Sequence, residues 1–271
     1  MPDLARSSKY IRTSFNELKS DMKKRPLILC VSMGLTFHAY AQWERVSTST
    51  ISLSGEVVRG SLESYSKVAQ SGYSKLILKS GGGYPRIALK IAEDIARRNV
   101  DVHIEGYCFS ACANYLALAG RSLTVPCGSL LGWHGSPTGQ SESEVRMQAK
   151  ADGHPKELAD LTWAWLEKFS REEKTFYARV GVDYRLLRDS VDIPAANALR
   201  PEVNFTFDEE TGSASVHRSA TMWIPTVAVL KRYRVPTEGF CPQYSEPDIR
   251  SVVKKLGLKM SFSSSGRISS D

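Results

Sequence analysis

The sequence lacks the features that mark several common functions. Apart from one apolar stretch near the start, no run is long and apolar enough to span a bilayer as a helix, which argues against a bundle of membrane-spanning helices. There is no pair of C-x-x-C motifs and no H-E-x-x-H, so no metal site is expected. There is no G-x-G-x-x-G and no P-loop, which argues against a nucleotide, and no cofactor is expected. No internal repeat is present, which excludes a repeat array. Charge of one sign is also scarce outside the N-terminal segment. Of 36 basic and 29 acidic residues, seven and three fall in residues 1–41, leaving 29 against 26 and a net of +3. That remainder shows no clustered basic stripe, which argues against a nucleic-acid partner.

Cysteine is sparse, at five residues. Cys30 lies in the N-terminal apolar stretch, which leaves Cys108, Cys112, Cys127 and Cys241. An even number permits disulfides in an oxidising compartment, with three connectivities open. Cys108 and Cys112 either pair with each other, or brace their segment against Cys127, or are simply small buried residues.

What is present begins with a leader. Met22-Lys23-Lys24-Arg25 is basic, Pro26 to His38 is mostly apolar, and Ala39-Tyr40-Ala41 is a small-x-small cleavage pattern. Residues 22–41 therefore read as a signal peptide cleaved after Ala41, provided translation starts at Met22. Residues 1–21 are polar, either a mis-called start or a cytoplasmic extension. With them retained, the apolar run becomes a signal anchor and attaches the protein to a membrane. A buried helix is the plain alternative. Residues 42–259 form the expected domain, and 260–271 a Ser-rich disordered tail.

Within the domain, strand and helix signals alternate, which points to an α/β architecture. Strands are expected over Thr50–Val58, Lys75–Lys79, Val100–Glu105, Ser122–Val125 and Ser129–His134. A short helix fits Leu62–Gln70. After Gly81-Gly82-Gly83, Pro85 opens a helix whose apolar face holds Ile87, Leu89, Ile91 and Ile95, and Arg97-Arg98-Asn99 closes it. Ser110–Leu118 reads as a buried helix. Gly135–Gly153 reads as a mobile polar loop. Lys156–Val180 reads as one long helix with a stripe of Leu158, Leu161, Trp165, Phe169 and Phe176. A shorter helix is expected over Tyr184–Asp189 and a hairpin within Pro201–Ser219.

Three pieces carry chemistry. Ser110 sits where a strand and turn lead into a helix. A serine hydroxyl is a weak nucleophile that needs a base and donors for the developing oxyanion. The amide of Ala111, near a helix N-terminus, and the amides of Gly82 and Gly83 are the natural donors. His134 lies 24 residues beyond Ser110 at the end of its own strand, a fit for a general base. Each piece alone is commonplace: a packing serine, a core histidine, a tight turn. Their order along the chain is what points to a serine hydrolase.

Residues 52–135 resemble the proteolytic subunit of the Clp protease and its relatives, including signal peptide peptidase A and the ClpP/crotonase superfamily, with the exported bacterial Clp-like proteins as the nearest match. The family's S-P-G-G turn takes the form Ser80-Gly81-Gly82-Gly83, with glycine in the proline's place. Its nucleophile segment takes the form Cys108-Phe109-Ser110-Ala111-Cys112, and its histidine strand Leu131-Gly132-Trp133-His134. The resemblance implies Ser110 as nucleophile, His134 as base, and Gly82, Gly83 and Ala111 as oxyanion donors. It also implies a spiral of β-β-α units and a homo-oligomer. The expected activity is that of a periplasmic, secreted or inner-membrane-anchored serine peptidase cleaving peptides or unfolded proteins. The family's third catalytic aspartate has no secure counterpart. Asp183, Asp189, Asp192 and Asp208 are options, and one alignment falls on Thr221 instead. Two other readings stand beside it: a catalytically inactive scaffold on the same fold, and a crotonase-like acyl-thioester enzyme.

Overall fold

The computed structural model describes residues 42–190, 203–208, 213–218, 222–242, 244–258 and 262–264, with 203–208 and 213–218 described by backbone alone. The expected leader, extension and most of the tail lie outside the described residues, as do Asp192 and Thr221.

The strands are β1 (Gln42–Arg45), β2 (Thr50–Ser54), β3 (Lys75–Ser80), β4 (Asp101–Phe109), β5 (Ser122–Val125) and β6 (Leu130–Gly132). They form one mixed sheet in the order β1-β2-β3-β4-β5, followed by Gly239–Phe240, with β6 paired to β4. β1 lies antiparallel to β2, and every other pairing in this sheet is parallel. Parallel neighbours need crossovers. Helices α1 (Ser61–Ala69) and α2 (Pro85–Arg98) supply the first two. The fold is therefore α/β, as expected. β1 and the Gly239–Phe240 strand were not anticipated, because each is short and defined mainly by its neighbour.

β4 positions the site, because it serves two partners in turn. Asp101–His103 pair with Ser122–Thr124 of β5, whereas Tyr107–Phe109 pair with Leu130–Gly132 of β6. Between these halves the register with β3 slips. Leu78 pairs with Ile104 and Ser80 with Cys108, so four residues of β4 oppose two of β3. Gly106, at φ +78°, lies in this bulge. The bulge turns the end of β4 onto a new neighbour just before Ser110.

α2 follows the expected pattern. It has Pro85 in its first turn, a buried face of Ala88, Leu89, Ile91, Ala92 and Ile95, and Asn99 left-handed at its C-terminus. The segment after Ser110 is buried as expected but is not a regular helix. Cys112–Leu116 wind as π-helix and Ala117–Ala119 as 3-10 helix.

The polar stretch Gly135–Gly153 is largely helical instead of a loop. Pro137–Gly139 form a 3-10 turn, and α3 spans Glu142–Ala151. Ser141 and Glu144 close a capping box at its start, and Val145 and Ala149, four apart, are its buried contacts. Two small apolar residues leave too faint a stripe to show against the polar background.

α4 spans Lys156–Val180 with the expected bounds. Its buried face is rotated from expectation. Ala159, Thr162, Leu166, Phe169, Glu173, Phe176 and Tyr177 are buried, while Leu161 is 66% exposed. A stripe traced through large apolar residues alone overlooks the small and polar residues that face inward. Residues 185–190 are helical, and Val203–Asp208 pairs antiparallel with Ser213–Arg218 as the expected hairpin. Phe262–Ser263, in the stretch expected to be disordered, pairs in parallel with Met222–Trp223. Helix Glu246–Lys255, capped by Ser245 and Asp248, was not anticipated. Among the described residues no helix is long and apolar enough to cross a membrane.

The four domain cysteines form two disulfides, Cys108–Cys112 and Cys127–Cys241. The second fastens β5 to the Gly239–Phe240 strand, where the Cys241 amide also donates to the Val125 carbonyl at 2.8 Å.

Candidate active site

The triple-glycine turn leaves β3 at Ser80 and is held by backbone on one side. The Val57 amide donates to the Gly82 carbonyl at 2.6 Å, and the Tyr84 amide donates to the Val57 carbonyl at 2.9 Å. Gly82 and Gly83 both have positive φ, +103° and +119°, where a side chain is strained. They face different neighbours. A Cβ on Gly82 would lie 2.6 Å from the Ser110 Cβ and 2.9 Å from the Ala111 nitrogen. A Cβ on Gly83 would instead lie 2.1 Å from the Val57 carbonyl oxygen. Gly82 is thus the bare position that lets the turn reach Ser110, and Gly83 is the one that lets it pack on Val57.

The amides divide as well. Gly82 donates its N–H to the buried Ser80 hydroxyl at 3.1 Å. Neither the Gly83 nor the Ala111 amide takes part in the backbone hydrogen bonds that pin the turns and loops among the described residues.

Ser110 is half-buried and adopts φ +54°. That left-handed conformation is uncommon for a residue with a side chain, and such strain concentrates at functional sites. Three features hold it. The Cys108–Cys112 disulfide brackets it. Its amide donates to the Gly132 carbonyl at 3.0 Å, and its carbonyl accepts from the Asn114 amide at 2.7 Å.

His134 leaves the neighbouring strand. Phe109 of β4 is level with Gly132 of β6, so Ser110 and His134 emerge from the same ends of two adjacent parallel strands. Ligand sites in open α/β sheets form at such carboxyl ends. Trp133, next to His134, is fully buried and exchanges backbone hydrogen bonds with Trp223 at 2.8 and 2.7 Å. Across the gap, the buried Asn114 donates from Nδ2 to the Gly135 carbonyl at 2.9 Å. The segment after the serine is thereby tied to the residue after the histidine.

A further group, missed in the sequence, sits behind this pair. Glu173 of α4 is fully buried and accepts hydrogen bonds from four hydroxyls. Tyr115 and Ser136 donate to Oε1, the latter at 2.5 Å; Thr138 and Tyr184 donate to Oε2, the latter at 3.2 Å. Burial pushes its carboxyl above the ordinary value, while the hydroxyl donors act in the opposite direction. Burial, followed by the charge of Glu173, drives the Tyr115 phenol far up, so it stays a donor. The signal was an acid four residues past Phe169 and three before Phe176, inside an apolar stripe.

Of the aspartates considered for a third catalytic role, Asp192 lies outside the described residues and Asp208 is described by backbone alone, while Asp183 and Asp189 have partners of their own. Asp183 pairs with Arg185 at 2.9 Å. Asp189 accepts from the Tyr233 hydroxyl at 2.7 Å and pairs with Arg188 at 3.1 Å.

No family model and no curated protein matches this chain. Among solved structures it is similar to a mutant ClpP1 protein from Listeria monocytogenes, at 18% identity over 42% of this chain and 78% of that one, with a TM-score of 0.27.

Proposed function

We propose that the protein is a serine hydrolase of the Clp-peptidase type, exported, and acting on peptides or unfolded chains. The observation that carries this reading is the approach of Gly82 to Ser110 and Ala111, where an added Cβ would come within 2.6 Å of the serine's own. It sets a strained serine beside bare backbone at the carboxyl ends of parallel strands. In the proposed mechanism the Ser110 hydroxyl attacks a substrate carbonyl carbon and His134 takes its proton. The tetrahedral oxyanion forms between the amides of Ala111 and Gly83. His134 then returns the proton to the leaving amine, and water repeats the cycle to release the acyl group. Gly82 clears the space, since its own amide is engaged by Ser80. The third catalytic role is left unassigned. Export is supported by the leader pattern of residues 22–41 and by the pairing of all four domain cysteines.

Incubation with a mixture of unstructured peptides, read by mass spectrometry, tests the reading. Cleavage is expected from the wild type and is lost in Ser110→Ala. Cleavage that persists in Ser110→Ala overturns the role of the serine. No cleavage and no acylation by any serine-directed probe favours an inactive scaffold.

A further inference from the structure

We infer that Glu173 is a positioning residue for the Ser110–His134 site, holding the segment after the histidine against the segment after the serine. The inference rests on the hydrolase reading above. Burying a carboxylate costs several kcal/mol unless it is fully hydrogen-bonded. A leucine in its place would complete the stripe of Leu166, Phe169 and Phe176 at no such cost. What the carboxylate adds is connection. One oxygen accepts from Tyr115, five residues beyond Ser110, and from Ser136, two beyond His134. The other accepts from Thr138 and from Tyr184, whose ring also packs edge-on against Tyr177 near the end of α4.

The arms converge on the segments whose spacing sets proton transfer. Asn114 to the Gly135 carbonyl ties the same two segments one layer closer to the site. Glu173 and Asn114 therefore act in series: the carboxylate fixes Tyr115 and Ser136, and the hydrogen bond from Asn114, beside Tyr115, to the Gly135 carbonyl, beside Ser136, fixes the backbone that carries Ser110 and His134. Glu173 makes no contact with a reacting atom in this scheme. Its effect is on how closely the imidazole and the hydroxyl are held, and a displacement near 1 Å costs about 100-fold in rate.

The test is the kinetics of Ser110 acylation by a fluorophosphonate, resolved into a maximal inactivation rate and a probe affinity. Glu173→Gln keeps the volume but accepts fewer hydrogen bonds. It is expected to lower the maximal rate about 10–100-fold with probe affinity unchanged. Tyr115→Phe, and Ser136→Ala combined with Thr138→Val, each sever one set of arms and are expected to give part of that loss. Ser141→Ala, which removes the cap of α3 away from the site, is a destabilised control expected to keep the wild-type maximal rate. A purely structural Glu173 would lower the melting temperature and leave the maximal rate unchanged, and that result overturns the inference. Should Glu173→Gln fail to fold, the arm variants decide by the same criterion. A wild type that is not acylated at Ser110 defeats the hydrolase reading and this inference together. A wild type acylated normally, with Glu173→Gln and the arm variants just as fast, defeats this inference alone.

Discussion

Ser110 is held at φ +54° by neighbours that leave it little room, with Gly82 on one side and the Gly132 carbonyl on the other. Two substitutions separate strain from reactivity. Ser110→Gly removes the Cβ that disfavours the left-handed conformation, so it is expected to raise stability by about 0.5–1 kcal/mol while abolishing activity. Gly82→Ala does the opposite at the facing position. Its Cβ would meet the Ser110 Cβ at 2.6 Å from a backbone at φ +103°, so a loss of about 2–3 kcal/mol is expected together with loss of acylation. Thermal melts of both variants check the signs, and a destabilised Ser110→Gly would remove the argument from strain. Ser110, Gly82 and Gly83 stand out in the sequence only through their order along the chain with His134, since a serine or a glycine turn alone is commonplace. The division of labour within the glycines does not stand out, since it depends on Ser80 and Val57, which no spacing rule connects to them.

At the scale of elements, α4 shows what a sequence pattern conveys and what it hides. Its ends at Lys156 and Val180 are marked by Pro155 before and Gly181 after, both local signals. Which face turns inward is settled by partners from distant segments, so Glu173 is not one of the apolar residues of the stripe yet is buried, while Leu161 belongs to the stripe yet is exposed. The buried carboxyl has a thermodynamic signature. Its folded value is raised above 4.5 by burial, so the folded state holds that proton more tightly than the unfolded chain. Stability from this group is present below that unfolded value and is lost as pH rises through the raised folded value. Denaturant melts across this range are expected to show a falling contribution with rising pH in the wild type that is absent from Glu173→Gln. Identical slopes would contradict the assignment. The α3 helix was hidden for the opposite reason: its capping box is explicit at Ser141 and Glu144, but its apolar face is only two small residues wide.

For the whole molecule, parallel strands drawn from residues 50–240 enclose the core, and the closing contact is remote in sequence. The Gly239–Phe240 strand joins β5, and Cys127–Cys241 locks that joint across 114 residues. Sequence left three cysteine pairings open because the choice depends on this non-local strand pair. Loop-closure entropy scales with the length spanned. Cys241→Ser with Cys127→Ser is therefore expected to cost about 5 kcal/mol, against about 2 kcal/mol for removing the four-residue Cys108–Cys112 bridge. Equal losses in denaturant melts would contradict that ranking. The α/β class was readable from local alternation, whereas the return of the chain past residue 222 was not. The account as a whole turns on whether Ser110 and His134 act as one unit. Peptide mapping of the fluorophosphonate adduct, with its rate of formation, measures this most directly. The adduct is expected on Ser110 and about 10²–10⁴-fold slower to form in His134→Ala. An adduct on any other residue, or an undiminished rate without the histidine, would contradict it.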